Sequence, residues 1–194
     1  MLLKWYNQKC THVPYLLKCD DDVFINTKNL HSLVSMITLD DALLGYLWCD
    51  NYPRRHIREK NYTPVSVYGQ DTFPPHLNGP GYLISSSAAQ KLFRAARHVP
   101  WFIWEDVYLT GMVARAAGLT PNDHSDFNQY YSPFTQRWDN LTSSNILTSF
   151  FNQFIQTDPC IYSQIILVMY NLRINDITRI AKEVENLDEV ECRK

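Results

Sequence analysis

An acidic triplet set between two apolar runs is the feature that most constrains this chain. Val13-Pro14-Tyr15-Leu16-Leu17-Lys18 has the composition of a short buried strand. Asp20-Asp21-Asp22 follows directly behind Cys19, and apolar character resumes at Val23-Phe24-Ile25-Asn26. Three neighbouring carboxylates repel one another, and the end of a strand offers them no helix N-terminus. Folding them into a structured site makes sense if a hard cation compensates the charge. Alternate residues of an extended segment share a face, so Asp20 and Asp22 point the same way. A divalent ion held there would keep open positions for phosphate oxygens and neutralise a diphosphate leaving group. The competing reading of the same residues is a solvated acidic turn.

The surrounding pattern alternates strands with helices, which makes α/β the expected class. Leu2 to Cys10 reads as the end of a helix, and Thr27 to Met36 as a second helix with Thr27 as its N-cap. Ala42 to Trp48 reads as a strand, and Asn51 to Pro75 as a long loop with a short strand around Val65-Ser66-Val67-Tyr68. Asn78-Gly79-Pro80-Gly81 is expected to be a turn leading into the strand Tyr82-Leu83-Ile84-Ser85. Helices are expected from Ser87 to His98 and from Glu105 to Ala117, the latter closed by Gly118 as its C′ residue. Further along, Asn145 to Phe154 and Ile174 to Val184 read as helices, with a strand-like Ile161 to Met169 between them.

The chain has 194 residues, 45% of them hydrophobic and 13% aromatic, enough for one folded domain. A net charge of −2 gives none of the basic footprint of a nucleic-acid binder, and no nucleic-acid partner is expected. The five cysteines, Cys10, Cys19, Cys49, Cys160 and Cys192, form no CxxC or Cys/His cluster, which argues against structural zinc. Two N-glycosylation patterns, Asn61-Tyr62-Thr63 and Asn140-Leu141-Thr142, lean toward the secretory pathway. No signal peptide or membrane span is visible in the sequence.

Glu105-Asp106-Val107 is the second candidate for chemistry. Acids opening a helix cap it and favour its dipole. Behind the aromatic run Trp101-Phe102-Ile103-Trp104, one of them could instead be desolvated enough to take a proton from a hydroxyl. The glycines of Asn78-Gly79-Pro80-Gly81 permit close backbone approach to a ligand, and serve ordinary turns equally well. None of the six histidines sits in a triad or HExxH spacing.

Taken in order, these segments resemble the β-1,3-galactosyltransferase family, glycosyltransferase family 31. Lys18-Cys19-Asp20-Asp21-Asp22-Val23-Phe24-Ile25-Asn26 matches its Lys-x-Asp-Asp-Asp-Val-Phe-x-Asn segment. Phe73-Pro74-Pro75 leads into Gly79-Pro80-Gly81-Tyr82-Leu83-Ile84-Ser85, similar to its Gly-x-Gly-Tyr-x-x-Ser strand. Glu105-Asp106-Val107-Tyr108-Leu109-Thr110-Gly111 is similar to its third hallmark. The likeness runs from about Leu2 to Asn128.

The resemblance implies a GT-A fold, a UDP-sugar donor, a manganese ion and inversion at the anomeric carbon. By position it implies Asp22 as principal metal ligand, with Asp20 and Asp21 organising metal, ribose and sugar. Asp106 would be the base that deprotonates the acceptor hydroxyl, supported by Glu105, and Gly79 and Gly81 would admit donor or acceptor closely. The cysteine usual after the family's Pro-Pro-Tyr is Leu77 here, and no histidine follows His124 to serve as the family's late metal ligand. The family's membrane anchor and first nucleotide-binding strands are missing, so residues 1–130 are expected to be the metal-binding and catalytic part of an N-terminally incomplete domain. Residues 131–194 are expected to be a divergent extension of it.

The expected function is hexosyl transfer, of galactose or an N-acetylhexosamine, to a glycan acceptor in β-1,3 linkage. The expected place is the luminal side of the Golgi membrane, reached through an anchor this sequence lacks. The alternative is a catalytically impaired glycan-binding relative or an inactive fragment. A metal-dependent phosphotransferase or hydrolase is disfavoured by the lack of a phosphate-cradling loop.

Overall fold

A computed structural model describes residues 2–127, 159–168 and 174–187, so the helix expected over Asn145 to Phe154 lies outside the described residues. The chain divides into two compact units, Met1–Asp20 with Ile37–Ser125, and Asp21–Met36 with Asp126–Lys194.

The first unit is built on a four-stranded sheet in the order β1-β4-β3-β5. β1 (Tyr15–Cys19) and β3 (Leu43–Trp48) flank the long β4 (His76–Ser85), each antiparallel to it, and β5 (Asn122–Asp123) runs parallel to β3. Helix α1 (Leu2–Lys9) turns Leu3 and Tyr6 into the core, and α3 (Ser86–Ala95) turns in Ala88, Ala89 and Leu92. These side chains join Leu43, Leu77, Tyr82, Ile84, Leu109, Val113 and Leu119 in one apolar cluster. Leu77, at the position where the family resemblance would place a cysteine, is fully buried in that cluster.

Sequence chemistry explains the element ends. Ser85 caps α3, its hydroxyl accepting from the Ala88 amide at 3.3 Å. The helix expected from Glu105 is present, but from Val107 to Val113 it is a π-helix, which returns to an α-helical turn, α4, over Ala114–Ala116. Gly118 closes it at φ +68°, as a C′ glycine should.

Asn78-Gly79-Pro80-Gly81 is not a turn but part of β4. Gly45 pairs with Tyr82 and Leu47 with Leu77, so β4 carries extra residues in a bulge between those pairs. Pro80 sits within that bulge, and its carbonyl accepts from the Asp20 amide at 3.0 Å. Nor is there a strand at Val65–Tyr68. The Val67 and Tyr68 amides both return to the Pro64 carbonyl, which makes that stretch a turn.

The second unit contains, among the described residues, β2 (Phe24–Ile25), α2 (Thr27–Met36), α5 (Pro159–Gln164), β6 (Leu167–Val168) and α6 (Ile174–Asn186). β2 and β6 pair antiparallel. The N-cap of α2 is Asn26 rather than Thr27. Asn26 Oδ1 accepts from the Asn29 amide at 3.1 Å while its Nδ2 donates to the Tyr162 carbonyl at 3.1 Å. Of the strand expected over Ile161 to Met169, the described residues form Leu167–Val168, because Pro159 opens a helix ahead of it; Met169 lies outside the described residues. Phe24, Tyr162, Ile165 and Ile180 form the core of this unit.

Candidate functional site

The pairing of β1 with β4 places Lys18 opposite Tyr82 and Cys19 opposite Gly81. Lys18 becomes the hub of the first unit's charged residues. Its ammonium lies 2.6 Å from Asp20 Oδ1 and 3.6 Å from Glu105 Oε2, and also donates to the Gly79 carbonyl. It stands 5.8 Å from the centre of the Tyr82 ring, within cation–π range. One cation thus links the first residue of the acidic triplet to the first acid of Glu105-Asp106.

Tyr82 holds Glu105 from below, its hydroxyl donating to Glu105 Oε1. Burial, reinforced by the Glu105 charge, pushes the Tyr82 phenol well above its ordinary value of 10, so it stays protonated and keeps donating. Glu105 itself is half exposed, with its carboxylate available to solvent and ligand.

Asp106 is placed by three contacts. Its Oδ1 accepts from the Val107 amide at 2.8 Å, so it does cap the helix, as the simpler reading of the sequence holds. Its backbone carbonyl accepts from the Thr110 hydroxyl at 2.7 Å, and that hydroxyl accepts from the Leu77 amide of β4 at 2.8 Å. Its Oδ2 lies against Gly79, where an added Cβ would come within 3.2 Å of that oxygen. Gly79 therefore serves close approach, and it does so without a positive φ.

His76, at the start of β4, is buried. Its Nδ1–H donates to the Pro74 carbonyl at 2.8 Å, which leaves Nε2 facing the Asn51 amide at 3.4 Å. Burial holds the imidazole below its ordinary value of 6.5, opposed by the Pro74 carbonyl and by the negative charge of Asp106. The aromatic run before Glu105 divides. Phe102 is buried with Phe73 and Val107, and Trp104 Nε1 donates to Thr63 Oγ1 at 2.7 Å, whereas Trp101 is 76% exposed.

Of the residues singled out from sequence, Asp20, Gly79, Glu105 and Asp106 are thus brought together, and Gly81 lies on the pair next to Asp20. Asp21 and Asp22 open the second unit, the first exposed and the second half-buried. Sequence reasoning gave no role to Lys18, Tyr82 or Thr110. The signal for Lys18 is its place two residues before Asp20 at the end of one extended run, hence on the same face.

Among the described residues no group of three or more His, Cys, Asp or Glu side chains converges on a point that could hold a metal. Small, hard divalent cations are commonly held through one or two carboxylates and completed by substrate phosphates and water, rather than by an all-protein cage. Among the described residues no helix is long and apolar enough to cross a membrane.

Residues 1–125 match the family model described as Galactosyltransferase. The chain belongs to the galactosyltransferase family, a family of GT-A type whose α/β class agrees with the fold observed. Among its relatives is an acetylgalactosaminyl-O-glycosyl-glycoprotein beta-1,3-N-acetylglucosaminyltransferase of Mus musculus. It is 33% identical over 168 residues, covering 86% of this chain and 39% of that protein. A UDP-GlcNAc:betaGal beta-1,3-N-acetylglucosaminyltransferase 7 of Mus musculus is 35% identical over 129 residues, 66% of this chain and 32% of that protein. Beta-1,3-galactosyltransferase 1 of Mus musculus is 31% identical over 133 residues, 67% of this chain and 40% of that protein. The chain spans between about a third and two fifths of the length of these relatives.

Proposed function

We propose that this chain carries the catalytic part of an inverting hexosyltransferase. It would move galactose or an N-acetylhexosamine from a UDP-sugar to a glycan acceptor in β-1,3 linkage, in the Golgi lumen. The observation that carries the reading is the meeting of Asp106 and Glu105 with Gly79 and, through Lys18, with Asp20. Family membership and the names of the relatives support it.

Asp106 is assigned the base. Inverting transfer needs one group to take the proton of the attacking hydroxyl on the face opposite the leaving group. With Oδ1 engaged by the Val107 amide, Oδ2 is the oxygen left to accept that proton. Glu105, fixed by Tyr82 and Lys18, would orient donor or acceptor beside it, and the β4 backbone at Gly79 and Gly81 would border the sugar. Asp22 and Asp20 are assigned the divalent cation, taken as manganese, with Asp21 supporting the donor. Such an ion, when bound, would neutralise the departing diphosphate. On that assignment Asp20 exchanges its pairing with Lys18 for the ion, which leaves the Lys18 ammonium with Glu105 and the Gly79 carbonyl.

The test is Asp106→Asn, which preserves size and removes the basic oxygen. Transfer is expected to fall by at least about a hundredfold, the scale of general-base contributions, with UDP-sugar binding retained. Transfer at the wild-type rate in that variant would remove Asp106 as the base.

A further inference from the structure

We infer that Thr110 is a positioning residue that fixes the Asp106 carboxylate against β4; the inference rests on the assignment of Asp106 as the base. Thr110 is fully buried and lies four residues beyond Asp106, inside the π-helical segment. A hydroxyl has one proton to give and lone pairs to receive. Here the proton goes to the Asp106 carbonyl at 2.7 Å, and the Leu77 carbonyl at 3.4 Å is too distant to compete for it. The Leu77 amide donates to the same oxygen at 2.8 Å. One side chain therefore ties the backbone of the proposed base to the backbone of β4.

The place of attachment matters. Leu77 and Gly79 are two apart on one strand, with Leu77 in register with Leu47 of β3 and the bulge beginning just beyond it. The Leu77 amide is held by Thr110, and Gly79 stands against Asp106 Oδ2 a short way along. The two contacts act on different parts of the aspartate. Thr110 sets where its backbone begins, and Gly79 limits where its carboxylate ends. A helix whose turns are widened to the π pitch lacks the regular α-helical ladder at this point, so a side-chain tie supplies the register that the backbone does not.

The inference predicts a split in the kinetics. In the whole protein, Thr110→Val keeps the shape and removes both bonds. It is expected to lower kcat roughly 10-fold to 100-fold, the cost of displacing a reacting group by about 1 Å, while the KM for the UDP-sugar is unchanged. Thr110→Ser keeps the hydroxyl and is expected to restore kcat. Hydrogen exchange at the Leu77 amide should accelerate in Thr110→Val and not in Thr110→Ser. If Thr110→Val does not fold, Thr110→Cys takes its place, because a thiol of similar size is a weak donor and should lower kcat where Ser does not.

Measured beside Asp106→Asn, the outcomes separate. An inactive Asp106→Asn with a fully active Thr110→Val, or with a Thr110→Cys equal to Ser, overturns the role of Thr110 and leaves the base assignment standing. A fully active Asp106→Asn, or a wild-type protein without transfer, overturns the base assignment and this inference together. Equal losses in kcat and donor binding for Thr110→Val would show general damage to the fold and also overturn the positioning role.

Discussion

At the scale of single residues, His76 links the packing of β4 to solution pH. Burial keeps its imidazole below the ordinary 6.5 despite the opposing Pro74 carbonyl and Asp106 charge. Below about pH 6.5 the unfolded chain therefore binds a proton that the native state resists, so stability rises with pH in that window and is lost as pH falls through it. The melting temperature is expected to be lower at pH 5.5 than at pH 7.5, with a smaller difference in His76→Gln. An unchanged difference in that variant would assign the pH effect elsewhere. The residues of the site were unequally legible. Asp20-Asp21-Asp22 and Glu105-Asp106 announce themselves because like charges adjacent in sequence are costly and demand an explanation. Lys18 and Thr110 do not, because their partners arrive only on folding. Lys18 meets a carbonyl 61 positions away, and Thr110 an amide 33 positions away.

At the scale of elements, local chemistry reads well where it is complete within a few residues. The spacing of Ala88 and Leu92, and Gly118, identify α3 and the end of the Glu105 helix, and the structure agrees. The sequence favours Thr27 as the cap of α2 because Thr is also a capping type; what decides is that Asn26 serves the Asn29 amide and the Tyr162 carbonyl at once. The bulge at Pro80 reads as a turn in sequence because glycine and proline punctuate both, and only pairing with strands on each side distinguishes them. The π-helical pitch from Val107 to Val113 has no counterpart in the apolar periodicity of the sequence. Ser85→Ala tests the capping argument. Its hydroxyl serves the Ala88 amide and also donates to the Asp40 carbonyl at 2.8 Å. A loss of about 1–2 kcal/mol is expected in denaturant unfolding, at the upper end for caps. A loss of only a few tenths would mean that water replaces both bonds.

At the scale of the whole molecule, two of the three motifs that carry the family resemblance fold around one sheet, and Lys18 ties the acidic triplet to them through Asp20. The chemistry proposed for the chain therefore stands mainly on the first unit, where β1, β4 and the Glu105 helix meet. The division into a catalytic part over residues 1–130 and an extension over 131–194 is proposed on the sequence pattern. The acidic triplet, which constrains the chain most, spans the point at which one compact unit passes to the other, since Asp20 belongs to the first and Asp21 to the second. Asp20 is already paired there with the Lys18 ammonium through Oδ1. The central claim is sugar transfer from a UDP-sugar. Its most direct measurement is acceptor-dependent release of UDP from UDP-galactose, UDP-N-acetylglucosamine and UDP-N-acetylgalactosamine, with manganese present and withheld. The account predicts release from at least one donor that requires manganese and acceptor and is abolished by Asp106→Asn. No release from any of the three donors in the presence of manganese and glycan acceptors, or release that Asp106→Asn leaves intact, would contradict it.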